Sequence, residues 1–416
     1  MMKSIPFLTW VAAATLAVSG DPLPRIHIHH PADNAAVLLG QQPPQEEPSE
    51  PTASPTPGHK AEPVLEKERQ EGETKAPGEF EFRGFAAVSY GLNFPQPAAS
   101  RSLLRGYALD DRKLKLDGLN LDFQYGMSDQ DTVGVRLDTV LGGSYPRIDA
   151  AGGLFRDPYT GVSNTDFDIR QVFVRFRADE NLTIDAGKFA THVGYEIMPG
   201  VDGKNPHGTP AYGYTFNPFT HTGLRVTYDA SEQVTLMGLV VLGADNWQDT
   251  NQSLSLGAQI NWHPNDQFSL LFNMLDGPER AYNDQDRRRY YDIVANYEIS
   301  DEVNLGLHAF TSTEQGLAPV SGSAWVNGFS LYVQSQLSDK FWLNFRQEFY
   351  NDPFGIRLGV PARIRAFTVT PEYRFTPDWA MRVDFRFDKA DRAIFDDLGA
   401  PVDYQKSIFF QQTLAF

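Results

Sequence analysis

The feature that most restricts the fold of this chain is a strict alternation of apolar and polar residues, which begins at Phe80 and recurs to the last residue. In residues 119–125, for example, Leu, Leu, Phe and Tyr alternate with Asn, Asp and Gln, and residues 254–262 alternate in the same way. A period of two residues is typical of a β-strand with one apolar face. Sixteen such segments can be counted between Phe80 and Phe416, so we predict an all-β chain.

The connections between the predicted strands alternate in length. Seven are short polar turns, such as 128–131 and 178–181, and eight are longer, such as 143–165 and 276–288. Outer-membrane barrels have short turns at one end and long loops at the other. A soluble β-sandwich, the alternative, shows no such order of loop lengths. We therefore predict a transmembrane antiparallel up-and-down β-barrel of about 16 strands over residues 80–416.

Aromatic residues recur close to the short turns. Rings at that level would lie at one membrane–water interface, with their apolar body in lipid and their polar edge at the headgroups. Each ring taken singly fits equally well as a cap on a soluble core, and their shared position at one edge favours the interface. The residues that we assign to this aromatic belt are Tyr125, Tyr228, Trp262, Tyr297 and Trp379.

Charge and cysteine content exclude several classes of function. The chain has 36 Lys and Arg against 53 Asp and Glu, a formal net charge of −17, which disfavours nucleic-acid binding. It contains no cysteine, which excludes disulfides, thiolate metal sites, a cysteine nucleophile and a lipid-anchored cysteine. We predict no metal and no cofactor.

The residues before the first strand have a different composition. Residues 1–20 resemble a signal peptide, because Lys3 precedes the apolar stretch 5–18 and small residues precede Asp21. A short buried helix is the alternative for this stretch. Residues 21–79 are rich in Pro and Glu and bury too little apolar surface to fold, so we predict a disordered periplasmic segment.

Several stretches of the barrel region resemble the OmpL-like β-barrel porin family of Gram-negative outer membranes. They are Gly187–Glu196, Thr220–Arg225, Gly277–Glu279, Arg346–Asp352 and Arg382–Asp388. The terminal Phe416 on an alternating strand is similar to the signal read by the outer-membrane assembly machinery. The resemblance spans roughly residues 80–416 and implies a porin-like fold, without implying a particular solute. Residues 243–246 depart from the family pattern.

A barrel of sixteen strands is too wide for side chains to fill, so we predict a water-filled lumen. An Arg or Lys facing mid-bilayer lipid would cost about 2–4 kcal/mol, so charged residues of the strands are expected to face this lumen. There they would either form rows of opposite charge across a pore or pair between strands and hold the wall together. The predicted pore-lining residues are Arg136, Asp138, Arg175, Arg177, Asp185, Lys188, Arg225, Asp292, Arg346, Glu348, Arg382, Asp384, Arg386 and Asp388.

Two local points stay open in the sequence. Asp168 and Arg170 share the parity of the lipid-facing Val172, so either a β-bulge near Gln171 resets the register or this stretch lies above the membrane. The longest connection, 195–219, is rich in Gly, Pro and aromatic residues, and either folds into the barrel or forms an exposed surface loop.

The function predicted from these patterns is a porin that lets small hydrophilic solutes or ions diffuse passively, with both chain termini in the periplasm. One alternative is a structural anchor whose N-terminal segment reaches the cell wall. A barrel-embedded hydrolase is another, but it requires a serine with a histidine and an orienting polar group, and no such serine is evident. We predict no enzyme. The expected partners are outer-membrane lipid, the assembly machinery and, through the N-terminal segment, the cell wall; the oligomeric state is left open.

Overall fold

A computed structural model describes residues 77–98, 104, 110–146, 166–203, 205–317 and 322–416. Contacts divide the chain into two units, residues 1–60 and 61–416, and all described residues lie in the second. The predicted signal peptide and nearly all of the predicted proline-rich segment lie outside the described residues.

Sixteen of the strands form one closed antiparallel barrel, in which each strand pairs with its neighbours in sequence and the last barrel strand pairs with the first. The predicted sixteen-stranded up-and-down barrel is confirmed. Within the described residues, two further short strands form a separate hairpin, and one short helix lies between the fifth and sixth strands. No helix in the described part of the chain is long and apolar enough to span a membrane. The elements are β1 (Phe80–Phe94), β2 (Leu114–Tyr125), β3 (Val133–Leu141), β4 (Phe167–Arg177), β5 (Leu182–Ala190), α1 (Tyr212–Thr215), β6 (Thr220–Ser231), β7 (Val234–Val241), β8 (Ser255–Asn265), β9 (Phe268–Arg280), β10 (Asn283–Ser300), β11 (Val303–Gln315), β12 (Ser323–Ser338), β13 (Phe341–Asp352), β14 (Ala362–Arg374), β15 (Trp379–Ala390), β16 (Phe395–Asp397), β17 (Ala400–Val402) and β18 (Tyr404–Ala415).

The alternation in sequence becomes two faces of the barrel wall. In β15 the side chains of Met381 and Phe385 are exposed on the outside, whereas Arg382, Asp384 and Arg386 are buried on the inside. Successive side chains of a strand point to opposite faces, so one apolar and one charged surface arise from the same residues. An apolar outer face of this kind suits lipid.

A β-bulge in β4 accounts for two charges that had the wrong parity. The register between β3 and β4 shifts between Asp138 and Thr139, which leaves Arg170 as the extra residue of β4. As a result Asp168 and Arg170 are both buried inside, while Val172 is exposed outside. Of the two interpretations left open by the sequence, the bulge is the one found.

The two ends of the barrel differ as expected, with one exception. Strands β9 and β10 continue to Arg280 and from Asn283, so only two residues connect them, and the long connection predicted over 276–288 is wrong. The strands extend because charged side chains pair across them. The Arg287 guanidinium, for instance, lies 2.8 Å from an Asp276 carboxylate oxygen. Cross-strand ion pairs of this kind stabilise a sheet that has no apolar face. The sequence of such strand ends lacks the alternation of apolar and polar residues, so the alternation does not predict them.

Candidate functional site

The connection between β5 and β6, residues 191–219, lies inside the barrel, and we call it the inner loop. It is described except for residue 204. Val193, Tyr212 and Tyr214 are buried, and backbone groups of the loop bond to inward-facing side chains of many strands. The inward fold is therefore the correct one of the two placements that the sequence left open.

The loop contacts β10 of the wall through Gly194. The Gly194 N–H donates to Asp292 Oδ2 at 2.6 Å, and the same oxygen lies 3.1 Å from His308 Nε2 on β11. Asp292 and His308 are both buried. A carboxylate that accepts a backbone N–H makes a strong charge-assisted hydrogen bond, so this contact fixes the start of the loop.

The next residue, Tyr195, packs on two strands. Its ring stacks on Tyr332 of β12 with the ring centres 4.1 Å apart, and its hydroxyl accepts a hydrogen bond from Gln334 at 3.1 Å. Gly306 of β11 lies directly against the ring, where a Cβ atom would overlap Tyr195. Glycine at 306 is thus required for the close approach of the loop to the wall.

A buried ion-pair cluster holds the loop against β13. Arg346 donates to Glu196 Oε1 at 2.6 Å, to Glu348 Oε1 at 2.8 Å and to the Thr209 carbonyl at 2.8 Å. Its side chain is fully buried. Backbone N–H groups of the loop complete the cluster, since Tyr212 donates to Glu348 at 2.7 Å. The loop therefore adds a carboxylate and backbone groups to the partners that these buried wall charges find in one another.

Strands β14 and β15 bind the middle of the loop. Asp384 accepts hydrogen bonds from the backbone N–H groups of Gly208 and Thr209, at 3.1 and 2.7 Å, and the Arg386 guanidinium donates to the Pro210 carbonyl at 2.6 Å. His207 Nδ1 lies 2.7 Å from the Thr370 hydroxyl. Burial, together with the nearby guanidinium groups, holds the pKa of His207 well below its usual range.

Within the inner loop, residues 197–203 and 205 form a finger that reaches the other side of the barrel. Its base is closed by Asn205, which accepts from the Ile197 N–H at 2.9 Å and donates to the Ile197 carbonyl at 2.7 Å. Arg382 of β15 donates to the Asn205 carbonyl. At its tip, Gly200 and Gly203 bond to each other through their backbones.

The tip of the finger contacts β1 to β4. Arg170 donates to the Pro199 carbonyl at 2.9 Å, and Asp202 pairs with Arg136 and, at 3.5 Å, with Arg83. Burial would raise the pKa of Asp202, but the adjacent Arg136 and Arg83 guanidinium groups lower it to about 2. The finger consequently spans the interior between β13–β15 and β1–β4, anchored by charge at both ends.

One charged cluster belongs to the wall itself. Asp185 of β5 accepts hydrogen bonds from Arg175 at 2.8 Å and from Arg225 at 2.6 Å, and Arg225 lies over the Phe189 ring at 4.8 Å. Arg225 also borders a cavity beneath the inner loop, next to His192 and Met198. This cluster matches the alternative that inward charges pair between neighbouring strands.

A sequence model of a protein family, described as "Putative beta-barrel porin-2, OmpL-like", matches residues 79–416. The chain belongs to this porin family. No curated protein sequence matches the chain.

Solved structures share the fold at low identity. An anion-selective porin from Comamonas acidovorans is 11% identical with a TM-score of 0.57, covering 82% of this chain and 100% of that one. OmpF of Salmonella typhi, in complex with daunomycin, is 14% identical with a TM-score of 0.54, covering 82% and 98%. OmpT of Vibrio cholerae is 10% identical with a TM-score of 0.54, covering 82% and 99%.

Most of the charged residues predicted to line the pore of this porin lie on its inner face, and many of them bind the inner loop. Whether solutes pass beside them stays a prediction. The residues placed on the inner face are Arg136, Asp138, Arg175, Arg177, Asp185, Arg225, Asp292, Arg346, Glu348, Arg382, Asp384, Arg386 and Asp388.

Lys188 is the exception among the predicted pore-lining residues. It pairs with Val172, whose side chain lies on the outer face, so its parity in the strand is that of the outer face, and whether it lines the pore stays a prediction. Its ammonium is nevertheless buried within the wall, where it donates to the Ile169 carbonyl at 2.6 Å and lies 3.5 Å from Asp168. The bulge in β4 brings these acceptors within reach.

Residues of the loop that bind the wall were not predicted from the sequence. The signal existed, because Glu196 and Arg346 belong to stretches that carry the family resemblance. Nothing in their spacing, however, says that an acid in a connection pairs with a base more than a hundred residues later. Asp202 and Thr209 lie outside those stretches and carry no such signal.

The aromatic residues assigned to the belt are exposed on the outer face near the short-turn end. The terminal Phe416 also lies at this end, where its backbone N–H and carbonyl bond to Gly84 at 2.9 and 2.6 Å. Their roles in the membrane and in assembly stay predictions. The belt residues are Tyr125, Tyr228, Trp262, Tyr297 and Trp379.

Proposed function

We propose that this porin conducts small hydrophilic solutes and ions by passive diffusion, through a pore whose narrowest part is formed by the inner loop. The observation that carries the proposal is the buried Glu196–Arg346 pair, which holds the loop inside the barrel. The Arg346 guanidinium lies 2.6 Å from Glu196 Oε1. Together with Asp202 at the far end of the finger, this pair fixes polar backbone across the interior. A loop fixed in this position narrows the lumen of the barrel. It therefore limits the size of the solutes that can pass.

The charge arrangement supports hydrophilic solutes. The inner face carries guanidinium and carboxylate groups on most strands, whereas the outer face is apolar. Opposed charges across a water-filled lumen orient dipolar solutes and disfavour bulky apolar ones.

We further propose that the barrel is not an enzyme. The histidine rings on the inner side contact carbonyl, threonine or carboxylate groups: His192 lies 2.9 Å from the Met274 carbonyl, and His221 lies 3.0 Å from the Thr191 hydroxyl. Such contacts orient rings but supply no activated serine. Within the described ranges no group of three His, Cys, Asp or Glu residues is arranged to hold a metal.

The orientation in the outer membrane is part of the proposal. Both ends of the barrel sequence, β1 and the terminal Phe416, lie on the short-turn side. Short turns face the periplasm in outer-membrane barrels, so we place the termini and the aromatic belt there and the longer connections outside. The assembly machinery and, through residues 21–79, the cell wall stay proposed partners.

The test is electrical and needs only the purified barrel. In planar bilayers the porin is expected to give discrete conductance steps, and liposomes containing it are expected to swell in small sugars but not in large oligosaccharides. If protein that is shown to be folded gives no conductance steps in the bilayer, the result would contradict the proposal and favour a structural anchor.

A further inference from the structure

Three basic residues form a stripe on the outer face of the barrel, at the end with the long connections. They are Arg365 of β14, Lys389 of β15 and Lys406 of β18, and we call them the basic stripe. All three side chains are exposed on the face that elsewhere carries apolar residues such as Phe367 and Phe387. In a chain with a net charge of −17, an outward cluster of cations is unusual enough to require an explanation.

The strand register brings these cations together. Arg365 lies directly opposite Lys389, and Lys406 lies one diagonal step away, opposite Phe387. Directly opposed side chains on one face are separated by about 4.5–5.5 Å and diagonal ones by about 7–8 Å. Like charges in direct opposition destabilise a sheet, and an anion bound between them removes that cost.

Neighbouring groups neutralise the stripe only in part. Lys389 lies 2.8 Å from Asp403, whereas in the described part of the chain no ion pair involves Arg365 or Lys406. The Lys406 ammonium instead lies 5.9 Å from the ring centres of Phe387 and Tyr404. Its aromatic contacts keep it at the surface of the wall, where it is available to a ligand.

The height of the stripe matches the edge of the membrane. Ten positions separate Trp379 of the aromatic belt from Lys389 on the same strand. At about 3.3 Å per residue this is about 33 Å along the strand, and a tilt of about 40° leaves about 25 Å along the barrel axis. The apolar band of an outer-membrane barrel is about 25 Å tall. The stripe thus lies at the level of the lipid headgroups opposite the belt.

We propose that the basic stripe binds the headgroup of an outer-leaflet lipid that carries more than one phosphate group. Phosphate accepts charge-assisted hydrogen bonds from Arg and Lys, and three cations about 5–8 Å apart fit two phosphates on one headgroup better than a single one. The proposal rests on the orientation given under Proposed function, since it places the long connections outside.

The experiment compares two pairs of substitutions in the full barrel in detergent. Arg365→Gln with Lys406→Gln removes two charges from the stripe. Arg287→Gln with Arg289→Gln is the matched control, because it removes two guanidinium groups that pair with Asp276. Binding of a bisphosphorylated glycolipid is measured by native mass spectrometry. We expect the stripe variant to bind about tenfold more weakly or worse, and the control to bind like the parent protein.

Two further measurements keep the test decisive. The unaltered barrel is titrated with the same glycolipid after removal of its phosphates; equal binding of the two lipids would overturn the proposal without any variant. Arg365→Lys with Lys406→Arg keeps both charges and is expected to bind like the parent protein. Equal binding by the stripe variant and the control would also overturn the proposal.

Conductance separates this proposal from the function on which it rests. A barrel that binds the phosphorylated lipid but gives a silent bilayer would contradict the channel and support the stripe. A barrel that conducts but does not distinguish the two lipids would contradict the stripe alone.

Discussion

The Arg346 guanidinium donates to Glu196 Oε1 at 2.6 Å, and this contact joins the wall of the barrel to the loop inside it. Arg346 is fully buried and also binds Glu348, so the loop carboxylate completes its set of partners. Breaking an isolated buried pair costs about 3–5 kcal/mol, and the loss of Glu196 should cost less than this because Glu348 still compensates Arg346. The position of the loop and the stability of the barrel are therefore coupled through these two side chains.

Glu196→Gln tests that coupling. The substitution keeps the size of the side chain but removes the charge that Arg346 requires, so the loop is expected to loosen at its base. We expect a lower urea midpoint for unfolding in detergent and larger, noisier single-channel currents. Glu180→Gln, in the exposed turn between β4 and β5, is the control and should change neither quantity. Parental stability and parental currents in Glu196→Gln would show that the pair does not hold the loop.

The contact between Gly306 and Tyr195 allows a steric test. A methyl group at position 306 would overlap the Tyr195 ring, so Gly306→Ala is expected to displace the ring from Tyr332 and change the single-channel conductance. Gly238→Ala is the matched control, because a Cβ atom there meets no other atom within 4 Å. The account fails at this point if both alanine variants conduct like the parent barrel.

The pH dependence of stability should carry a signature of Asp245. Burial raises the pKa of Asp245 to about 6, although its carboxylate accepts hydrogen bonds from the Phe219 and Thr220 N–H groups at the end of the inner loop. Because this value lies above the ordinary 3.8, the protonated form favours folding. The stabilising contribution of Asp245 to the free energy of unfolding is fully present below pH about 4, and it is lost as the pH rises through 6.

Asp245→Asn retains an acceptor and removes the titration. We expect the urea midpoint of the parent barrel to fall between pH 5 and pH 7 by more than that of Asp245→Asn. Asp249→Asn, in the same connection, should behave like the parent. An identical pH dependence in the parent and in Asp245→Asn would mean that this carboxyl does not titrate in that range.

The role of the terminal residue in assembly can be separated from its role in stability. Phe416 is 60% exposed, and its ring lies over Gly84, which leaves room for it because it has no side chain. We expect Phe416→Ala to reduce the amount of barrel assembled in the outer membrane of cells, while refolding from urea into detergent is nearly unchanged. Phe410→Ala, on the outer face of the same strand, is the control. Equal assembly of the two variants would rule out a special function for the terminal aromatic residue.

The architecture was predictable from the sequence because it depends on a local pattern. Alternation within each strand defines an apolar and a polar face, and the order of short and long connections fixes which ends lie together. The same reasoning failed where the pattern is not apolar. Strands β9 and β10 continue through a segment of paired charges such as Arg287 and Asp276, whose sequence resembles that of a polar loop.

The inner loop was not predictable for a different reason. Its placement depends on contacts between residues far apart in sequence, such as Glu196 with Arg346 and Asp202 with Arg136. A sequence indicates that each of these groups must be solvated or paired, but it does not name the partner. Lys188 has the parity of the apolar residues Ile184 and Ala186, and the acceptors that bury its ammonium inside the wall come from the bulge in β4, which no alternation reveals.

The measurement that tests the account most directly is the single-channel conductance of a barrel without its finger. Ile197 and Asn205 are hydrogen-bonded to each other at 2.7 and 2.9 Å, so residues 198–204 can be replaced by a short glycine link without displacing the base. The account predicts discrete steps from both proteins, with larger steps and a larger solute cut-off for the shortened one. Equal conductance of the two proteins would contradict the claim that the inner loop narrows a water-filled channel.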